Sequence, residues 1–396
     1  MPVDTFAAVE RLLQFLAVDG VTGREADIGR AVQVALESVG VTPGQMTYDD
    51  AHSRIPLPTQ TGNLIVKLPG HGSRSADAPL LFMTHLDTVP LCAGAKPRHD
   101  GDKIVNAAPT ALGGDNRTGC AVLVSLAAEL LRRKPDHPPL TLLFTVREES
   151  GLFGARYLDP ARLGPVAMGF NFDGKLASDV ILGAVGADRW EVDIHGRASH
   201  AGVHPDRGVS ATLIFALALA DVHRGGWFGK VEKDGKLGTS NVGSVGDKDG
   251  RAAGEATNVV TDYVHVRGES RSHDPAFVSE ITAAYDVAFR TAAAAVTDHE
   301  GKPGNVTFTN RPDYHPFRLP DDAAVVQRAA VAVRSLGLEP VLKVTNGGLD
   351  ANWMVRHGVP VVTLGAGQQD IHTVKEWVDL PEFENAVRLA YVLATR

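Results

Sequence analysis

The sequence is poor in cysteine, in long apolar runs and in clustered positive charge, and each shortage removes a class of protein. Cys92 and Cys120 are the only two cysteines in 396 residues. That excludes a disulfide framework and a thiolate metal cluster, and favours a reducing compartment. The most apolar stretch, 211–220, is well short of the roughly 18 residues that a bilayer-spanning helix needs. The first turns of the chain mix Asp4, Glu10 and Arg11 among apolar residues at helical spacing, unlike the continuous apolar stretch of an export signal. A cytoplasmic location away from membranes is expected. Against 47 acidic side chains there are 39 basic ones, a net charge of −8, and no basic run. Nucleic acid is therefore not an expected partner, because phosphate-tracking surfaces need clustered Lys and Arg. What is present is ordinary for a globular protein, 44% hydrophobic and 22% charged residues, on a chain long enough for two domains.

Apolar residues recur at three- and four-residue steps over 9–36, with breaks at Asp19-Gly20 and Thr22-Gly23, and predict helices. The segments 62–68, 79–84, 140–146 and 164–172 read as strands, and 119–131 as a helix between two of them. This alternation predicts an α/β fold with a mixed central sheet flanked by helices. From about Ala187 the texture changes to strand (190–194), helix (209–222), strands (240–245 and 258–266), helix (275–296) and strand (305–309). That is the order of a ferredoxin-like α+β unit. An inserted domain is expected at 187–316, with 1–186 and 317–396 forming the other domain. Helices at 322–336 and 381–393 and a strand at 359–364 would complete its sheet.

Chemistry-bearing residues fall where strands give way to loops. His85 and Asp87 follow a strand and share a side if the alternation persists. An imidazole can then ligate a metal with one nitrogen while the other donates to a carboxylate; a turn with a solvated aspartate explains the pair equally simply. Asp115, in Gly113-Gly114-Asp115-Asn116-Arg117-Thr118-Gly119, is either a helix cap or a carboxylate ligand able to bridge two cations. Glu148-Glu149 ends the apolar strand 140–146. Either it opens a helix with acidic residues, or one carboxylate binds a metal while its neighbour serves as general base. Asp173-Gly174 is a turn or a ligand, and His372 alone specifies little. Together His85, Asp115, Glu149, Asp173 and His372 form an N/O donor set that suits zinc, with cobalt or manganese as substitutes.

In order and spacing, His85-Leu86-Asp87-Thr88-Val89-Pro90, Gly114 to Gly119, Glu148-Glu149-Ser150-Gly151, Asp173-Gly174 and His372 resemble the dinuclear zinc exopeptidase family of peptidase T, carboxypeptidase G and succinyl-diaminopimelate desuccinylase. The resemblance implies two zinc ions per subunit. His85 and Asp173 would hold one and Glu149 and His372 the other, with Asp115 bridging through a residue followed by a cis peptide bond. It also implies that Asp87 orients His85 and that Glu148 is the general base. The segment Arg197-Ala198-Ser199-His200-Ala201-Gly202 resembles the family's lid and dimerisation segment. By that likeness the inserted domain makes a homodimer, and His200 stabilises the oxyanion at the partner subunit's site. Asn258 and Arg271 correspond to lid positions that hold substrate, although Arg271 is as readily a structural ion-pair partner. Asn346-Gly347-Gly348-Leu349-Asp350-Ala351-Asn352 and Tyr314-His315-Pro316-Phe317-Arg318 are similar to segments of the peptidase T group, where Gly347 and Gly348 would lie beside the substrate. Arg147 departs from that group, which commonly has an acidic or small polar residue there.

The expected activity is zinc-dependent exopeptidase hydrolysis of short peptides, as in a tripeptide aminopeptidase. An N-acyl-amino-acid amidohydrolase or carboxypeptidase of the same fold uses the same ligands. A noncatalytic metal-dependent binding protein is the alternative of another class, and the intact Glu148 argues against it.

Overall fold

The computed structural model describes residues 3–254 and 256–396. The chain divides into two compact units, one made of residues up to Gly183 with Arg318–Thr345 and Leu349–Arg396, the other of Ala184–Phe317 with Asn346–Gly348.

The first unit is built on a mixed sheet. Its centre is four parallel strands in the order Leu140–Thr145, Leu80–His85, Met168–Phe172 and Val361–Leu364. Leu64–Leu68 joins one side and Asp179–Ala184 the other, both antiparallel. The unbroken apolar runs of the central strands are what burial on both faces requires, and every residue of Leu80–His85 and Leu140–Thr145 is buried. Within this core Phe82 packs on Phe170 and Phe172, with ring centroids 5.4 and 6.4 Å apart. The helix Gly114–Arg133 covers the sheet and is buried through most of its length. Helices Thr5–Leu16 and Leu380–Thr395 also pack on it. Because the central strands are parallel, their carboxyl ends all open at one edge, where sites form in open α/β sheets.

The second unit is an antiparallel five-stranded sheet in the order Gly229–Lys233, Lys236–Gly246, Tyr263–Ser272, Gly186–His195 and Asn305–Tyr314. Helices Ala211–Arg224 and Pro275–Ala295 pack on it around Trp190, Tyr285 and Phe289. Gly229–Lys233 adds a strand that the sequence pattern does not announce, since Val231 is its only apolar residue. Its hairpin turns at Asp234-Gly235, both with positive φ, which suits the twist of a two-residue loop. The strand expected at 258–266 lies instead at Tyr263–Ser272, leaving Asn258 in the preceding turn. Asn346–Gly348, expected with the other domain, clusters here: His273 Nε2 is 3.2 Å from Asn346 Oδ1, and a Cβ on Gly348 would stand 2.5 Å from the Tyr314 ring. No helix among the described residues is long and apolar enough to cross a membrane.

Candidate active site

His85 ends its strand, Glu148 and Glu149 follow Thr145, Asp173 follows Phe172, and His372 lies further along the chain from Val361–Leu364, on the turn between Gln368–Gln369 and Trp377–Asp379. All five come in the chain at or after the carboxyl ends of the parallel strands. Asp115 arrives from Gly113-Gly114 at the start of the long helix, in a non-helical conformation and with a cis peptide bond to Asn116. Its carboxylate stands between two imidazoles. Oδ1 is 3.0 Å from His85 Nε2 and Oδ2 is 3.1 Å from His372 Nε2. His85 Nε2 also lies 3.8 Å from Asp173 Oδ1, and His372 Nε2 lies 3.0 Å from Glu149 Oε1. The five residues thus form two overlapping donor groups that share Asp115.

The protonation pattern shows what such a cluster accommodates. His85 Nδ1 faces the Asp87 carbonyl at 3.0 Å and the Asp87 carboxylate at 3.4 Å. A carbonyl only accepts, so Nδ1 carries the proton and Nε2 turns a lone pair toward two carboxylates. Lone pair against carboxylate is repulsive unless a proton or a cation lies between. Without a cation the burden falls on protons. His372 is pushed up to about 10 by the Asp115 and Glu149 carboxylates. Burial works against the His85 proton, but Asp115, Asp173 and Asp87 outweigh it and hold this histidine well above its ordinary range. Burial likewise raises Glu149 to about 8 and lifts Asp173, each further raised by Asp115. Asp115 alone is held below the usual carboxylate range, because its hydrogen bonds from both histidines overcome its burial. Donor atoms around a tetrahedral zinc at 2.0–2.1 Å stand about 3.3 Å apart. The observed separations of 3.0 to 3.8 Å match that spacing, and the nitrogen and carboxylate donors fit a pair of divalent ions.

Asp87 contacts more than His85. Its carboxylate accepts the main-chain N–H of Glu148 (2.9 Å) and of Glu149 (3.1 Å), and so fixes the turn that presents both glutamates. Arg147 holds the same turn from its other side. It adopts φ 53°, its N–H donates to Glu25 Oε1, and its guanidinium reaches Thr59, Ser150 and the Pro58 carbonyl. Glu148 itself is buried. Its carboxyl is raised well above the usual range by that burial and by the carboxylates of Glu149, Asp173 and Asp350, against His85.

Several supporting residues escape sequence reasoning. Asn116 donates to the Phe172 carbonyl and accepts from Gln368, tying the Asp115 loop to the strand that delivers Asp173. Arg117, 2% exposed, donates to the carbonyls of Phe15, Leu86 and Val18 and so anchors the chain between His85 and Asp87. Asp350 is buried, hydrogen-bonded by the Thr145 hydroxyl, and raised to about 7 by burial. Asn116 and Arg117 stand inside a motif legible by eye, but their roles depend on main-chain carbonyls distant in sequence.

Residues 81–396 match peptidase family M20/M25/M40. The chain belongs to this family. It is a metallopeptidase of the peptidase T-like kind. A tripeptidase from Staphylococcus aureus subsp. aureus Mu50 is 26% identical and superposes with a TM-score of 0.86 over 100% of this chain and 99% of its own. Aminopeptidase PepT from Bacillus cereus ATCC 10987 is 28% identical, with a TM-score of 0.82 over 99% and 98%. Protein YqjE of Bacillus subtilis (strain 168) is 28% identical over 97% of this chain and 96% of its own.

The remaining predicted residues of this M20 peptidase lie in the second unit and are less enclosed. His200 is exposed, and its Nδ1 accepts the Gly202 N–H at 3.2 Å. Asn258 is exposed on the neighbouring segment, where its carbonyl accepts the Ala201 N–H. Arg271 is engaged within the chain, its Nε and Nη2 each 3.0 Å from the Glu269 carboxylate. Gly348 is required by the Tyr314 ring packed against it.

Proposed function

We propose that this chain is a zinc-dependent exopeptidase of short peptides, a tripeptide aminopeptidase, acting in the cytoplasm as a homodimer through its inserted unit. The observation that carries the reading is the Asp115 carboxylate lying between His85 and His372, with Asp173 and Glu149 completing the two donor groups. His85, Asp173 and Asp115 would hold one ion and His372, Glu149 and Asp115 the other, with cobalt or manganese as substitutes for zinc. When bound, such a pair supplies Lewis acidity toward a peptide carbonyl and toward water. The protein side of the chemistry falls to Glu148, which takes the proton of the attacking water and passes it to the leaving amine. A carboxyl raised by burial and by neighbouring carboxylates suits that exchange near neutral pH. Asp87 keeps Glu148 and Glu149 pointed through their main-chain N–H groups. His200, whose Nδ1 is an acceptor, carries its proton on Nε2 when neutral. It is thereby equipped to donate to a developing oxyanion across the dimer. Asn258, Arg271 and the Gly347-Gly348 turn would hold the peptide.

The test is a panel of free dipeptides, tripeptides, longer peptides and N-acyl amino acids, with product masses read before chelation, after it, and after zinc is restored. Chelator-sensitive removal of the N-terminal residue from tripeptides is the expected result. Cleavage confined to N-acyl amino acids, or release of C-terminal residues, would overturn the aminopeptidase assignment.

A further inference from the structure

The connection between the short strands Gln368–Gln369 and Trp377–Asp379 carries a predicted ligand, His372, and four residues later a carboxylate, Glu376, that no metal-ligating role accounts for. Glu376 is 3% exposed. Its Oε2 accepts the N–H of Gly113 at 2.8 Å and its Oε1 accepts the N–H of Asp115 at 3.0 Å. Both bonds are charge-assisted and made in a buried setting, where such bonds are strong. The residue between the two donors is Gly114, and a Cβ there would stand 3.2 Å from Glu376 Oε1 and 2.9 Å from Val378 Cγ2. The loop is therefore fitted to this carboxylate. The same short segment grips Asp115 a second time, through His372 Nε2 at 3.1 Å from its Oδ2. Side chain and main chain of the shared ligand are thus both held from 372–376.

We propose that Glu376 is a positioning residue for the metal centre: by holding the main chain of Gly113 and Asp115, it keeps the Asp115 carboxylate turned between His85 and His372 and so sets how tightly the more weakly held ion binds. The proposal rests on reading the site as a two-metal centre. Partners that orient a ligand from outside the coordination sphere commonly change metal affinity by roughly 10–100-fold when removed. Glu376→Gln replaces one acceptor oxygen by an NH2 group that cannot accept the facing N–H.

The experiment titrates chelator-stripped full-length protein with zinc, following heat and the zinc retained after dialysis at limiting metal, and records the Tm of the metal-free form. Wild type is compared with Glu376→Gln, Glu376→Asp and Gly114→Ala. Wild type should take up two ions. Glu376→Gln should bind one of them roughly 10–100-fold more weakly and regain wild-type kcat at high zinc, with Glu376→Asp intermediate. Gly114→Ala keeps the charge of Glu376 but displaces it, and should weaken zinc in the same way; should Glu376→Gln not fold, this variant and the aspartate carry the test. Wild-type zinc affinity in these variants, with or without a lowered metal-free Tm, would overturn the proposal. A wild type that binds no zinc would instead overturn the two-metal reading beneath it.

Discussion

His372 and His200 are both exposed histidines on loops, one in each unit, and they are held in opposite ways. Nε2 of His372 is flanked by carboxylate oxygens of Asp115 and Glu149 at 3.1 and 3.0 Å. Nδ1 of His200 instead accepts an N–H from Gly202. Nε2 of the first ring faces only acceptors, so it must carry a proton or meet a cation. Nδ1 of the second faces a donor, so the ring proton lies on Nε2. Exposure alone does not separate the two rings; the charge of the partner atoms does.

Removing each ring should therefore produce different losses. His372→Ala takes a donor from one ion, and Lewis-acid stabilisation is worth several kcal/mol. At 1.4 kcal/mol per decade, turnover should fall at least about 1,000-fold, and the zinc retained should fall toward one ion per chain. His200→Ala would, on the proposed role, remove an oxyanion donor, a loss that typically costs about 100- to 1,000-fold in kcat, and should leave zinc content unchanged. The two effects are separated by metal analysis beside steady-state kinetics. A His200→Ala protein that loses zinc would erase the contrast. Mixing His200→Ala with Glu148→Ala subunits sharpens it further, since a mixed dimer combines an intact base with an intact partner histidine. Recovered activity is expected, and none at any mixing ratio would show that His200 does not act across the dimer.

Three of the candidate ligands were legible because each sits in a contiguous motif at the end of an apolar strand, so one pattern singles out both residue type and position. His85, Glu149 and Asp173 are of this kind. Glu376 was not, because its partners are N–H groups 261 and 263 positions away, and a glutamate shortly before a helix looks like any other. Glu25 is similar. It accepts from Gly23 and Arg147, and only the fold brings the second within reach. Among the strands, the apolar central ones could be read directly, whereas Gly229–Lys233 and the largely exposed Val341–Thr345 lack the pattern that burial imposes. The polar ribbon Pro97–Asp100 and Lys103–Asn106 is missed for the same reason. In the inserted unit the helices and the alternating strand Gly186–His195 were clear, but the residues assigned to substrate lie on turns, where pattern carries no orientation.

The smallest expected effect is a difference in how the two units respond to pH. In the metal-free protein Glu25 is raised to about 7 by burial and the nearby Asp87, Asp350 to about 7 by burial, and Glu149 to about 8 by burial and Asp115. Each carboxyl therefore holds its proton in the folded state at a pH where the unfolded chain has released it. The folded state then binds more protons, and stability falls as pH rises from about 4.5 toward 8. His372, raised to about 10, acts in the same direction from about 6.5 upward. Asp298 and Asp193 of the second unit act oppositely. Asp298 is lowered by main-chain N–H bonds from Lys302 and Glu300, and Asp193 is lowered because Tyr263, Lys248 and His265 outweigh its burial. Their stabilisation is complete above the ordinary aspartate pKa of about 3.9 and is lost only on further acidification. Urea unfolding of the chelated protein at pH 5 to 8 should show stability declining by a few kcal/mol, because each proton retained over one pH unit is worth about 1.4 kcal/mol. Glu25→Gln should flatten the part of that decline below pH 7. Restored zinc should remove the part of the decline due to Glu149 and His372, because as ligands they would bind the ions without their protons. A chelated protein whose stability rises over this range would show that the carboxylates around Asp115 are already ionised without metal, and the difference between the two units would disappear.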